Sequence, residues 1–318
     1  MGAIVRGIGV YYPENVVTNA QLEKLVETSD EWITTRTGIK QRRILPADST
    51  LVASDFGAAA AQAAMTKAGV KPEEIDGIIC ANVYPDKQFP ATACFIQAKI
   101  GAKNAFAYDV TAACAGFVYA VNMAALLIDA GQCKNILVIG AEILSRVVDW
   151  TDRNTCILFG DAAGAVVMGQ GPKERGVILS QLKSDGTLAD ALYLGCEPNE
   201  KGVRAMNMDG KQVFKAAVKE ISDIVLSTVT KAGFQVKDLD LLVLHQANIR
   251  ILNSIADKLG LPPEKLIINV DRFGNTSSAS IPLALVDAES QGLLQPGKLI
   301  ALAAVGGGMS WGCNVLRW

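Results

Sequence analysis

Tyr108-Asp-Val-Thr-Ala-Ala-Cys-Ala-Gly-Phe117 decides the fold, because two periodicities meet inside it. Phe106 to Val110 has the pattern of a short strand, small residues surround Cys114, and Ala115 to Ala130 is apolar almost all the way round. Only Asn122 and Asp129 are strongly polar in that run, and Gly131 stands where a helix needs a cap. A helix without a polar face is expected in the interior. Cys114 then sits where a strand turns into a buried helix, and free backbone N–H groups and the helix dipole there favour a thiolate. The same small residues would equally suit an inert core cysteine between two closely packed backbones.

Outward from this stretch, the chain repeats its plan once. Thr66-Lys-Ala-Gly69 recurs as Thr230-Lys-Ala-Gly233, and Asp76 recurs as Asp240, both at a distance of 164 residues. Helical patterns precede the two copies (Leu51 to Ala68, Val213 to Ala232), and buried strands follow them (Gly77 to Ala81, Leu241 to Leu244). More loosely, Tyr108 to Val110 leading to Cys114 parallels Asn269 to Asp271 leading to Asn275. Asn135 to Gly140 parallels Lys298 to Ala303, and Ala162 to Met168 parallels Trp311 to Leu316. Apolar strands alternating with helices predict an α/β protein with mixed sheets covered on both faces. Two buried helices, one per half, imply five layers, α-β-α-β-α. Gly169-Gln-Gly-Pro172 marks the seam, which gives halves 1–172 and 173–318. Pro282 should delay or kink the start of the second buried helix.

The composition narrows the function classes. With 318 residues and 50% hydrophobic content the chain can bury a large core, yet its apolar runs are shorter than the ~18–20 residues of a membrane span. No secretory signal pattern opens the sequence. A net charge of −2 gives no reason to expect nucleic acid as a partner. Seven cysteines at irregular spacing, with no C-x-x-C pair, argue for a reducing, cytoplasmic setting and against a disulfide framework or a metal site. His245 is the single histidine, so no two-histidine site forms within one chain.

Three further motifs carry chemistry. Leu241-Leu-Val-Leu-His245-Gln-Ala-Asn248 puts the imidazole at the end of an apolar strand, with polar residues at once after it. Gly274-Asn275-Thr-Ser-Ser278 opens a helix, where Asn, Thr and Ser also serve as caps. Gly306-Gly-Gly308 lets backbone N–H groups approach a ligand, or forms an ordinary tight turn. A cysteine, one imidazole, one carboxamide and a glycine loop together point to acyl transfer through a thioester.

These four motifs resemble those of the β-ketoacyl–acyl carrier protein synthase III family, the initiating condensing enzymes of fatty acid synthesis, which have the thiolase fold. The resemblance runs from the first strand to Trp318. It implies that Cys114 takes the acyl group of an acyl-CoA, with the amides of Cys114 and Gly307 as oxyanion hole. It further implies that His245 and Asn275 stabilise the enolate left when malonyl–acyl carrier protein loses carbon dioxide. No cofactor is bound permanently: the CoA thioester and a phosphopantetheine-linked malonyl group are substrates. Trp32, Arg36, Arg153 and Asn248 match CoA-binding positions, and Gln246, Ala247, Asn248, Ile249 and Arg250 match a carrier-protein contact segment. Phe89, Leu144 and Phe159 match walls of the acyl pocket, Phe89 across the two-fold of a homodimer. Lys211 departs from the family pattern at one CoA contact. A relative from secondary metabolism, making a quinolone or polyketide starter, would share the same Cys-His-Asn chemistry; a thiol hydrolase would use Cys114 and His245 as an ion pair.

Overall fold

The computed structural model describes residues 2–200 and 202–318. Two sheets organise it. In the first, the strands stand in the order Gly2–Tyr11, Asp161–Gly171, Asn135–Ile143, Gly77–Ala81, Phe106–Val110. In the second the order is Gly176–Ser184, Ser310–Arg317, Leu299–Gly306, Leu241–Leu244. Read from the edge carrying the first strand, the two orders match. Each has two antiparallel pairings followed by a parallel one. The first sheet adds Phe106–Val110 in parallel, and at the corresponding place the second has only a single bridge, Leu242 to Leu266.

Helices fill the three remaining layers. Ala53–Ala68 and Thr92–Ile100 cover the outer face of the first sheet, and Gly210–Lys231 and Ile249–Leu259 lie on the outer side of the second. Gly116–Asp129 and Ser280–Ser290 lie between the sheets, so the chain has the expected five-layer thiolase fold. Asn135–Ile143 is buried at every position because helices cover both its faces. Ser280–Ser290 starts late, as Pro282 requires, and Pro282 lies in its first turn, where a missing N–H costs nothing.

One expectation needs correction. The helix Gly116–Asp129 is not wholly interior: Met123 and Leu126 are exposed, beside the exposed Phe106 of the edge strand. At the expected seam, Gly169 to Gly171 finish a strand of the first sheet and the chain turns over Pro172 to Arg175, closed by Arg175 N–H on the Pro172 carbonyl (3.1 Å).

Candidate active site

Cys114 lies in a single 3-10 turn, Ala113–Ala115, between the strand Phe106–Val110 and the helix starting at Gly116. The turn is made possible by Ala113, which adopts φ +45° although it is not glycine. A second such turn, Ser277–Ala279, precedes Ser280–Ser290, and Ser277 has φ +48°. No other described non-glycine residue has positive φ. Ala113 and Ser277 are 164 residues apart, the spacing of the repeat. Cys114 therefore corresponds to Ser278, not to Asn275 as the looser sequence parallel had it.

Each turn packs on a glycine of the other sheet. A Cβ on Gly306 would lie 2.6 Å from the Cys114 amide nitrogen, and one on Gly140 would lie 2.4 Å from the Ser278 carbonyl oxygen. Only glycine permits either approach. This crosswise contact brings Cys114, His245 and Asn275 to the wall of one cavity of about 710 Å³. His245 leaves the strand Leu241–Leu244 held by its N–H on the Ala303 carbonyl (2.9 Å), and its Nδ1 meets Ser280 Oγ at 2.7 Å. Asn275 is fixed by its N–H on Leu158 O (2.8 Å), and its Oδ1 accepts from Ser277 N–H (2.9 Å). That leaves the Asn275 Nδ2 hydrogens as the uncommitted end of the carboxamide.

The electrostatics revise the expected thiolate. Cys114 is buried, and burial pushes its thiol up to about 12; the Ser277 hydroxyl opposes this and the nearby Glu142 carboxylate adds to it. Burial also pulls His245 down to about 4, with the Ser277 backbone offsetting only part. The proton thus rests on sulfur and the ring is neutral, so the pair is no thiolate–imidazolium ion pair. The helix dipole is too small to outweigh the loss of solvent around sulfur.

Glu142 is the site residue that the sequence did not single out. It is fully buried at the end of Asn135–Ile143, where burial pushes it up to about 7. Its carboxylate accepts from Ser278 Oγ–H (2.7 Å), Ser278 N–H (3.3 Å) and Val83 N–H (3.0 Å). Its position in an apolar strand was the available signal, because a lone carboxylate there must find partners. Asp109, by contrast, caps Thr92–Ile100 through the N–H groups of Thr92 and Ala93 (2.7 and 2.9 Å).

At the cavity mouth the guanidinium carbons of Arg36 and Arg153 lie 4.7 and 5.4 Å from the Trp32 ring centroid. Asn248 lines the same cavity, but its amide is already committed, donating to Arg36 O (3.0 Å) and accepting from Arg250 N–H (2.8 Å) as a helix cap. Gln246 does not reach the surface expected of a carrier-protein contact. It is buried, its Nε2 donating to Leu244 O and Ile267 O and its Oε1 accepting from Asn269 and Val270 N–H. Ala247, Asn248 and Ile249 are partly exposed and Arg250 is exposed. Lys211 also lines the cavity. Leu144, Phe159, Cys114 and Gly307 share a second, small space of about 50 Å³. Phe89 is 84% exposed and lines neither space in the single chain. Cys313 faces Thr228 on the far side of its strand, away from the cavity.

Comparison with known proteins agrees with this geometry. Residues 108–186 match the model of 3-oxoacyl-acyl-carrier-protein (ACP) synthase III, and residues 229–318 match that of its C terminal region. The first match contains Cys114 and the second His245 and Asn275. The chain is 50% identical to a β-ketoacyl-acyl-carrier-protein synthase III of Agrobacterium fabrum over 99% of each chain. It is 48% identical to one of Bacillus cereus over 100% of this chain and 99% of that one. The crystal structure of the Aquifex aeolicus 3-oxoacyl-acyl-carrier-protein synthase III superposes with a TM-score of 0.95 at 44% identity, covering all of both chains. With its fold and nearly its whole length shared with these proteins, the chain belongs to the 3-oxoacyl-acyl-carrier-protein synthase III family.

Proposed function

We propose that this chain condenses an acyl-CoA with malonyl–acyl carrier protein, through an acyl-Cys114 thioester, to initiate fatty acid biosynthesis. The observation that carries the mechanism is the meeting of Cys114, His245 and Asn275 on one cavity that Trp32 and Arg36 also line, with Arg153 near the Trp32 ring. Cys114 sulfur attacks the thioester carbonyl and CoA leaves. The amide N–H groups of Cys114 and Gly307 hold the oxyanion. Malonyl–acyl carrier protein then loses carbon dioxide. The resulting enolate attacks the acyl-Cys114 carbonyl, giving 3-oxoacyl–acyl carrier protein and freeing Cys114.

A neutral His245 suits the second step. Gln246 N–H donates to Ser280 Oγ (3.3 Å), which leaves the Ser280 hydrogen for His245 Nδ1. The ring hydrogen then sits on Nε2 and, with Asn275 Nδ2, can donate to the enolate oxygen. Decarboxylation needs such donors and no base. The 50 Å³ space beside Cys114 favours a short acyl group, and Trp32, Arg36 and Arg153 suit the adenine and phosphates of CoA. Arg250 suits an acidic carrier protein.

We read residues 1–172 and 173–318 as the two halves, the first supplying the nucleophile and the second the enolate donors. A homodimer accounts for the open edge strand Phe106–Val110 and for the exposed Phe106, Met123, Leu126 and Phe89, the last closing the acyl space of a second copy. Seven free cysteines fit work in a reducing cytoplasm. Incubation with acetyl-CoA and labelled malonyl–acyl carrier protein should yield equal amounts of CoA, carbon dioxide and a 3-oxoacyl–acyl carrier protein. Release of free acetate with no new carbon–carbon bond would replace this reading by hydrolysis.

A further inference from the structure

A buried thiol beside a neutral imidazole leaves one matter open: where the Cys114 proton goes when its sulfur attacks. Ser277 offers the route. Its hydroxyl oxygen is buried and makes no well-formed hydrogen bond, an arrangement that is costly unless something uses it. Ser277 lines the same small space as Cys114 and directly precedes Ser278, which bonds Glu142; its hydroxyl also acts on the electrostatics of both Cys114 and Glu142. The left-handed φ of Ser277, secured by its N–H on Asn275 Oδ1, keeps it in this place. The neighbouring Ser278 hydroxyl is already engaged with Glu142 Oε1 (2.7 Å) and Ala81 O (3.0 Å), so it cannot do the same.

We propose that Glu142 receives the Cys114 proton during acylation by way of the Ser277 hydroxyl. This rests on Cys114 being the acylated nucleophile. In the acylation step the S–H bond breaks, Ser277 Oγ takes that proton and passes its own to the Glu142 carboxylate. Sulfur bonds to the acyl carbon and CoA departs as a thiolate that water protonates. In the condensation step the Cys114 thiolate is expelled and recovers the proton from Glu142 along the same path. Glu142 acts through Ser277 and touches no substrate, so it is a positioning and proton-holding residue. The titratable groups facing its carboxylate are two thiols, Cys114 from the turn and Cys80 from the strand Gly77–Ala81; no lysine or arginine hydrogen-bonds to it among the described residues. With burial holding it near 7, Glu142 is a far better acceptor at neutral pH than the ring of His245, which burial holds near 4.

The test is the pH dependence of single-turnover acylation by acetyl-CoA, followed by intact mass with the site of acylation mapped. In the native protein the rate should rise about tenfold per pH unit below 7 and level off above it, as a base of that pKa requires. Glu142→Gln, which keeps size and much of the hydrogen bonding, and Ser277→Gly, which removes the hydroxyl and tolerates φ +48°, should each slow acylation at pH 7 by roughly 10²–10⁴-fold. Each should also replace the plateau with a climb that continues beyond pH 9. A native profile that climbs without levelling overturns the relay, whether or not the variants fold. So does a plateau near 7 in either variant. Absence of acyl-Cys114 in the native protein would instead overturn the nucleophile assignment itself.

Discussion

The turns at Ala112–Gly116 and Thr276–Ser280 share a backbone and differ in what they present. Ala112 and Thr276 have φ, ψ of −138°, 30° and −101°, 25°; Gly116 and Ser280 have −54°, −38° and −66°, −39°. Between them stand the two left-handed residues, Ala113 and Ser277. In the first half the next side chain is Cys114, aimed into the cavity; in the second it is Ser278, turned inward to hold Glu142 and the Ala81 carbonyl. One turn displays a nucleophile and its counterpart fixes the scaffold. A duplicated strand-to-helix turn gave two strained corners, and their division of labour follows from one side chain in each.

The sharpest way to break this contrast is to remove sulfur from the first turn. Cys114→Ser should cut acyl transfer by roughly 10⁴-fold or more while the fold stays, measured as CoA release with a melting curve as control. Next in size, His245→Ala and Asn275→Ala should each slow condensation by roughly 10²–10³-fold and let acyl-Cys114 accumulate, which quenched-flow mass analysis would detect. Loss of acylation in His245→Ala would instead make the imidazole the activating base. Because burial keeps the His245 ring neutral down to about 4, decarboxylation should show no histidine limb between pH 5 and 8. Trp32→Ala should raise KM for acyl-CoA with kcat little changed, by the ~1–3 kcal/mol of a base–aromatic stack.

The second turn should answer in stability. Burial raises the pKa of Glu142 to about 7, so the native state holds its proton through a range where the unfolded chain releases it. Stability from this group is present below the ordinary carboxylate pKa and is lost as pH rises through 7. The gain in melting temperature of Glu142→Gln over the native protein should therefore grow between about pH 4.5 and 7 and then stay constant. An advantage that shrank with pH would mean that the carboxylate is stabilised in the fold.

Much of this was open to reading in the chain. Strand and helix periods placed Gly77–Ala81, Phe106–Val110 and Leu241–Leu244 at their observed limits; for Gly77–Ala81 and Leu241–Leu244 this is because a fully apolar strand has sharp polar ends. The repeat spacing of 164 residues even holds at the strained turns, but only backbone angles reveal it, because alanine and serine give no hint of a left-handed φ. Cys114, His245 and Asn275 could be found because each stands where an ordered element breaks, Cys114 among small residues before an apolar helix, His245 at the polar exit of an apolar strand and Asn275 in a polar loop opening a helix. Their protonation could not, since it depends on solvent exclusion by elements distant in sequence. Gln246 was misplaced for the same reason: a carboxamide that satisfies four backbone groups looks in sequence like one on a surface. The exposed side of Gly116–Asp129 was hidden likewise, because a run that is apolar all round does not say which of its residues meet solvent.

By this mechanism the first turn carries an acyl group and the second does not. Mapping of the protein after exposure to acetyl-CoA alone should find one acetyl group, on Cys114, with Cys80 and Cys313 unmodified and Ser278 free. Acetyl on any other residue, or an unchanged yield in Cys114→Ser, would contradict it.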